Sequence, residues 1–398
     1  MYIDIQNCKK DHLSLLRTCP SRSRRRNISI RLDYSEILPT FEDKDKEMVQ
    51  LLVDNCERWY SLQISDYHLE IHNVLRKAYG RIPNLTNLVL SRREPAGVTP
   101  IRVFEIAPKL RTVEIHGGFG LVLGFGNPSL ISYKDYRRSG QRVNLDEHFT
   151  ILQSCRNLQT FTKLSACRDC GSEVQNPPIF LPQLRHFHGS HKDLIKCMMT
   201  PNLESFHLDI FYPRDFADLN APLNVRDFFI RTGYRGLSKL TLSNTVTSHI
   251  LDIHPLVLAL AVLQFRFAVW PEGYRDVEED VFRSLFQKMT DVDEVGMSRV
   301  VANLREFSFM VHVHLDCRIL CINEIFLEMV ASRAKTLEKV EVVGSVPSGI
   351  WSAKRVSVLE SLLKDGMDIS LNGVRPWDFS GALNDSMIID QRVIETCR

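Results

Sequence analysis

A short phrase of apolar and polar positions recurs along this chain. It reads apolar, two positions of any kind, apolar, one position of any kind, apolar, and it recurs with small departures in IPNLTNLVL (82–90), APKLRTVEI (107–115), LPQLRHFHG (181–189) and TPNLESFHL (200–208). Numbering the phrase from its first apolar residue, eleven copies begin at Trp59, Leu85, Leu110, Leu130, Leu158, Leu184, Leu203, Leu237, Leu260, Leu304 and Leu337. A tighter form, Pro-x-Leu-x-x-apolar, starts at Pro83, Pro108, Pro128, Pro182 and Pro201. Chance would supply about one such match, because few prolines precede a suitably spaced leucine and apolar residue.

Alternate side chains of a strand face opposite ways. If positions 4 and 6 face a core, positions 3 and 5 face away. Positions 4 and 6 are apolar in 19 of 22 cases, the departures being Asp135, Lys163 and Gly189. Positions 3 and 5 are non-apolar in 20 of 22, with Val89 and Val262 as exceptions. Each phrase therefore reads as a half-buried strand. Between the phrases the period changes. Ile71, Val74, Leu75 and Ala78 fall at helical spacing, as do Met48, Leu51, Leu52 and Cys56, and Ile322, Ile325, Phe326 and Met329.

Helix and strand in alternation predict crossovers and a parallel sheet. No single unit can bury its own apolar face, so stacked neighbours make the core. Each inward Leu or Phe contributes about 1.5–3 kcal/mol. The gaps between copies run from 19 to 44 residues, most of them 19 to 28. They centre near the leucine-rich-repeat period of about 20–29 residues. The expected fold is an α/β, leucine-rich-repeat-like solenoid of irregular repeat length, with parallel strands on the concave face and helices on the convex face. Residues 1–33 form a lead-in that includes the alternating strand NISIRL. The solenoid spans 34–345, and 346–398 form a cap with a short helix through Leu359, Leu362 and Leu363. Loop insertions are expected around 116–128, 135–144, 165–180, 211–222 and 270–276, where Gly, Pro and charge concentrate.

The ordered series CERWYSLQI, IPNLTNLVL, FEIAPKLRTVEI, NPSLISY, ILQSCRNLQTF, LPQLRHF, TPNLESFHL, GLSKLTL and ANLREFSF resembles the leucine-rich-repeat region of the F-box-type protein families of mushroom-forming fungi. The resemblance covers residues 10–345. It implies a substrate-selecting repeat domain. In that family an N-terminal F-box docks on the adaptor of a cullin–RING ubiquitin ligase. HLSLLRTCPSRSRRRNISIRL resembles the segment C-terminal to the F-box, and residues 1–20 are too short to hold one, so the chain is expected to begin after the docking module. An adaptor contact is implied only if an F-box exists upstream.

Charge and composition narrow the partners. Fifty basic and 48 acidic residues give a net charge of +2, which supplies no electrostatic reason to expect nucleic acid. The most apolar stretch, 255–263, is too short to span a bilayer, so no membrane partner is expected. Ten scattered cysteines lack the dense spacing of a disulfide scaffold, and a reducing cytoplasmic or nuclear compartment is expected.

The binding surface is expected on the outward positions: Asn87, Thr112, Glu114, Thr160, Thr162, His186, His188, Ser205, His207, Lys239, Thr241, Gln264, Glu306 and Ser308, with Trp270 as a rim anchor. Trp59 opens a phrase and reads as core. His188 and His207 stand at position 5 of consecutive copies, so adjacent strands would bring them together. Cys167 and Cys170 form a CxxC just before them, with Cys197 nearby. The alternative function is a metal-binding or thiol enzyme centred on 167–207. Only one CxxC is present and no His-x3-5-His accompanies it, so no metal, cofactor or catalytic residue is assigned. The glycine run HGGFGLVLGFGNP (116–128) lacks GxGxxG register and a closing Lys-Ser/Thr, and reads as a flexible connection. RSRRR (22–26) reads as a solvated turn. No GxSxG or HExxH is present. Taken together, the expectation is a non-catalytic protein-binding scaffold.

Overall fold

In several copies the phrase folds as a tight turn followed by a strand. In the computed structural model the Leu85 amide donates to the Ile82 carbonyl, Leu110 to Ala107, Leu184 to Leu181 and Leu203 to Thr200, at 3.0–3.3 Å. Pro83, Pro108, Pro182 and Pro201 occupy the second residue of these four-residue turns, where the fixed φ of proline is already correct. That constraint accounts for the proline two positions before the first leucine. The residue just before that leucine has a second task. Asn84, Asn157 and Asn202 donate their side-chain amides to the carbonyls of Glu57, Pro128 and Pro182, at 2.7–2.9 Å. In all three cases the acceptor stands two residues before position 1 of the preceding copy.

The structure describes residues 2–6, 13–14, 16–18, 26–33, 43–65, 69–91, 101–117, 121, 123, 128–136, 145–164, 177–189, 192–209, 221–232, 236–244, 259–267, 275–291, 300–311, 322–344 and 353–371. The expected anchor Trp270, the CxxC at Cys167 and Cys170, Arg22–Arg25 of the basic run and most of the expected insertions lie outside them. The chain divides into two compact units, Met1–Leu237 and Ser238–Arg398. Both are α/β with parallel strands.

In the first unit the strands are β1 (Tyr2–Gln6), β2 (Ile28–Asp33), β3 (Trp59–Ser65), β4 (Asn87–Ser91), β5 (Thr112–His116), β6 (Ser132–Asp135), β7 (Thr160–Lys163), β8 (Ile179–Phe180), β9 (His186–Gly189), β10 (Met198–Met199) and β11 (Ser205–Asp209). Nine of them form one parallel sheet in chain order, while β8 and β10 pair separately. Helices α1 (Asp43–Val53), α2 (Leu69–Leu75), α3 (Leu145–Ser154), α4 (Lys192–Cys197) and α5 (Ala221–Thr232) lie between strands in the chain. Helix α1 buries Asp45, Met48, Val49, Leu52 and Val53, a single stripe at helical spacing. Trp59 is fully buried, and its indole N–H donates to the Leu52 carbonyl at 3.1 Å.

Register makes the core. Position 4 of each copy pairs with position 4 of the next, so Tyr133, Phe161, Phe187 and Phe206 form a continuous stack. Successive ring centroids are 5.7, 5.9 and 5.5 Å apart, with interplanar angles of 18° or less. Phe228 and Phe229 of α5 close its end, each 5.4 Å from Phe206. Such aromatic pairs add about 0.5–1.5 kcal/mol each beyond their buried area.

The three departures from apolar inward positions have two causes. Asp135 and Lys163 are register partners on β6 and β7, and both are fully buried. Lys163 Nζ lies 3.1 Å from Asp135 Oδ2, and His148 Nε2 of α3 lies 2.8 Å from the same oxygen. The charges sit inside because each answers another. Gly189 serves a steric end: a Cβ there would come within 2.6 Å of the Phe187 ring, which lies over it.

The second unit repeats the scheme with β12 (Lys239–Ser243), β13 (Val262–Phe267), β14 (Glu306–Val311), β15 (Lys339–Val343) and β16 (Asp368–Leu371), parallel and in chain order. Its helices are α6 (Arg275–Thr290), α7 (Glu324–Ser332) and α8 (Ala353–Lys364). Phe265, Phe307 and Phe309 of the strands pack with Phe282, Phe286 and Phe326 of the helices. Asn323 caps α7 by accepting from the Ile325 amide at 3.0 Å. Buried Arg333 donates to the Met289 and Val301 carbonyls at 3.0 and 2.9 Å, and also to Val300. It thereby fastens the end of α6 to the turn before β14, where Val301 adopts φ 52°. Burial lowers the Arg333 pKa to about 10, still above neutrality, so the guanidinium stays charged and keeps its donors.

All eleven phrases open into strands, and the segment NISIRL holds β2. The sequence pattern ends too early at the C-terminus. The helix through Leu359 and Leu362 leads on to β16, which pairs with β15 rather than leaving the sheet capped at 345. The pattern also misses β1, β8 and β10. The glycine run is not simply a loose connection: Leu121 and Leu123 are buried, and Leu121 bridges Ile101 in parallel.

Removing one member of the buried cluster strands the other. Asp135→Leu is expected to cost about 3–5 kcal/mol in chemical denaturation. Adding Lys163→Leu to Asp135→Leu should recover part of that loss, because the orphaned ammonium is gone. Buried His72 of α2 gives a second test. Desolvation, and then the charge of Arg76 beside it, lowers its pKa from 6.5. As pH falls below 6.5 the unfolded chain takes up a proton that native His72 resists, so stability declines with acidity. His72→Gln should flatten that slope in melting curves taken just below pH 6.5.

Candidate functional site

The face of each sheet opposite the core carries positions 3 and 5, and strand register turns them into two columns. In the first unit one column runs Asn87, Thr112, Ser132, Thr160, His186 and Ser205. The other runs Val89, Glu114, Lys134, Thr162, His188 and His207. Parallel strands lie about 4.8 Å apart, so neighbours in a column touch.

These contacts form two polar clusters. In the first, Thr112 Oγ1 donates to Asn87 Oδ1 at 2.7 Å. Glu114 lies between His116 Nε2 at 2.8 Å on its own strand and Lys134 Nζ at 3.7 Å on β6. The His116 ring stacks on Tyr136, centroids 4.8 Å apart. In the second, His188 of β9 and His207 of β11 are register partners, and their rings stack at 3.6 Å with 12° between planes. Asp209 stands two residues after His207 on the same face. One ligand atom from each of His188, His207 and Asp209 lies within 4.8 Å of the others, and all three residues are half-buried. His186 is exposed and stands outside this group.

In the second unit Lys239 and Gln264 are half-buried and Glu306 is exposed. Thr241 Oγ1 donates to Gln264 Oε1 at 3.2 Å, and Arg266 reaches the same oxygen at 3.3 Å. Lys339 pairs with Glu341 along β15 at 3.6 Å.

Three of the expected binding residues are buried: Thr162, Thr241 and Ser308. Each is short and lies beside longer neighbours in its column. Thr162 stands between Lys134 and His188, Ser308 between Gln264 and Glu341, and Thr241 beside Gln264. Outward direction alone does not guarantee access when taller side chains flank a residue on both strands.

Conversely, the phrase as defined in the sequence passes over His116, Tyr136 and Asp209. All three occupy position 7, one further step of the same alternation. Extending the phrase by two residues finds them. Lys134 is also absent from the expected set, although it fills position 5 of its copy.

A scan against protein-family models finds no match, and a search of curated proteins finds none.

Among the described cysteines, Cys56 and Cys155 are buried and Cys197 is half-buried, all as free thiols. Burial pushes the Cys155 thiol up to about 11 and also raises that of Cys56. Neither offers a thiolate near neutrality. Native protein treated with a chromogenic disulfide reagent at mildly alkaline pH should leave both unmodified, and denaturant should release both to react.

Proposed function

We propose that this chain is a non-catalytic protein-binding scaffold of leucine-rich-repeat type, the substrate-recognition part of an F-box-type ubiquitin-ligase receptor. The observation that carries the scaffold reading is the polar outward face of the sheet in each unit, the columns at positions 3 and 5 that turn away from that unit's core. Eleven of the fourteen expected residues there keep solvent access, and their spacing is set by strand register rather than by loops. A preordered polar surface suits recognition of another folded protein, since little side-chain or backbone freedom is lost on docking. The leucine-rich-repeat assignment draws support from the recurring turn and from the asparagines that reach back to the preceding copy. The ligase role rests on the resemblance of the ordered phrases alone. Adaptor contact belongs to an F-box, and the repeats select what is delivered.

Among the described residues no helix is long and apolar enough to cross a bilayer.

Charge-changing substitutions across the columns test the proposal. Combining Asn87→Arg, Glu114→Lys, Thr160→Glu and Ser205→Arg is expected to reduce capture of protein partners by about a hundredfold, while circular dichroism shows the fold retained and melting falls only by the loss of the Thr112–Asn87 and Glu114 contacts. A matched variant on exposed helical positions, Lys77→Glu with Lys288→Glu, should capture normally. Capture that survives the first set and fails in the second would move the binding surface to the helical side.

A further inference from the structure

We propose that His188, His207 and Asp209 form a binding site for a divalent transition-metal ion of the zinc class. The site lies on the solvent-facing side of β9 and β11. Two unrelated features of the fold assemble it. Parallel pairing sets His188 directly against His207, and the strand alternation places Asp209 on the same face two residues after His207. No loop has to close to bring the ligands together.

The dimensions agree with a single ion. Zinc holds imidazole nitrogens at about 2.0–2.1 Å, and tetrahedral angles then place two such nitrogens about 3.4 Å apart. The two ring centroids are 3.6 Å apart and the planes within 12° of parallel, so the in-plane nitrogen lone pairs run side by side, and a rotation of one ring about its side-chain bonds turns both onto a shared ion. One ligand atom from each of the three residues lies within 4.8 Å of the others, so side-chain rotation has about 1.4 Å to close to reach the spacing of a shared ion. Strand backbone fixes the Cα positions on both sides, so little conformational freedom is lost when the ion enters.

The donor set defines the class of ion. Two imidazoles and one carboxylate suit zinc, cobalt, nickel and copper rather than magnesium or calcium, which take oxygen ligands. Three protein ligands leave a coordination position for water or for a donor from a docked molecule. Binding by the isolated chain needs no partner, so the site stands or falls apart from the scaffold reading.

Titrating metal-stripped protein with zinc chloride in a calorimeter tests it. One zinc per chain is expected, with micromolar or tighter affinity. His188→Ala with His207→Ala should weaken binding about a hundredfold or more, and Asp209→Asn about tenfold. His186→Ala, two residues away on the same strand and outside the cluster, should bind as the parent does. Zinc should also shield His188 and His207, but not His186, from a histidine-acylating reagent mapped by peptide mass. That readout uses the unaltered chain and does not depend on any variant folding. Absence of stoichiometric binding, full-strength binding by the double variant, or equal acylation of all three histidines with zinc present would each overturn the site.

Discussion

The structure depends on one constraint: within each unit, successive copies of the phrase hydrogen-bond to one another at the same position. The carbonyl at position 2 accepts two amides from the next strand. Thr86 receives Arg111 and Thr112, Arg111 receives Ile131 and Ser132, Ile131 receives Gln159 and Thr160, and Arg185 receives Glu204 and Ser205. The second unit does the same, with Ser238 receiving Ala261 and Val262, and Arg305 receiving Glu338 and Lys339. A buried backbone group without a partner costs about as much as a lost hydrogen bond. Slipping one strand by a residue would forfeit these pairings and turn its apolar side chains to solvent.

Once register is fixed, the columns decide the chemistry. On the inner side like meets like, which produces the stack from Tyr133 to Phe206. It also produces the one inward column where an aspartate meets a lysine. On the outer side the same rule brings Glu114 to Lys134 and His188 to His207. The zinc proposal and the buried ion cluster therefore share an origin, since each arises from position 5 or position 6 of consecutive copies falling side by side. The difference is access. Asp135, His148 and Lys163 are sealed and act on stability, whereas His188, His207 and Asp209 are half-exposed and can take a ligand.

The limits of alternation as a code decide how much of this was legible in the sequence. Leu88, Val113, Phe187, Phe206 and Leu240 were legible as inward residues because a period of two sorts faces without knowledge of the partner strand. The pairing of His188 with His207 was legible because both copies were aligned by their leucines. The Asp135–His148 contact was not, because one copy's pattern holds no sign that a helix between strands sends a histidine back. The burial of Thr162, Thr241 and Ser308 is not legible, because the height of neighbouring side chains is a property of adjacent strands, not of one. Short β8 and β10 carry too few residues to show a period, and β16 was hidden behind a helix that looked like an ending.

Zero-length carbodiimide cross-linking of the native protein, read by peptide mass, tests the register most directly. Glu114 and Lys134 lie 3.7 Å apart on adjacent strands, and Lys46 and Glu70 lie 3.2 Å apart on α1 and α2 as an internal standard. The expected result is a covalent Glu114–Lys134 peptide pair formed alongside Lys46–Glu70. A one-residue slip would carry Lys134 to the opposite face, so Lys46–Glu70 cross-linking without Glu114–Lys134 would contradict the account.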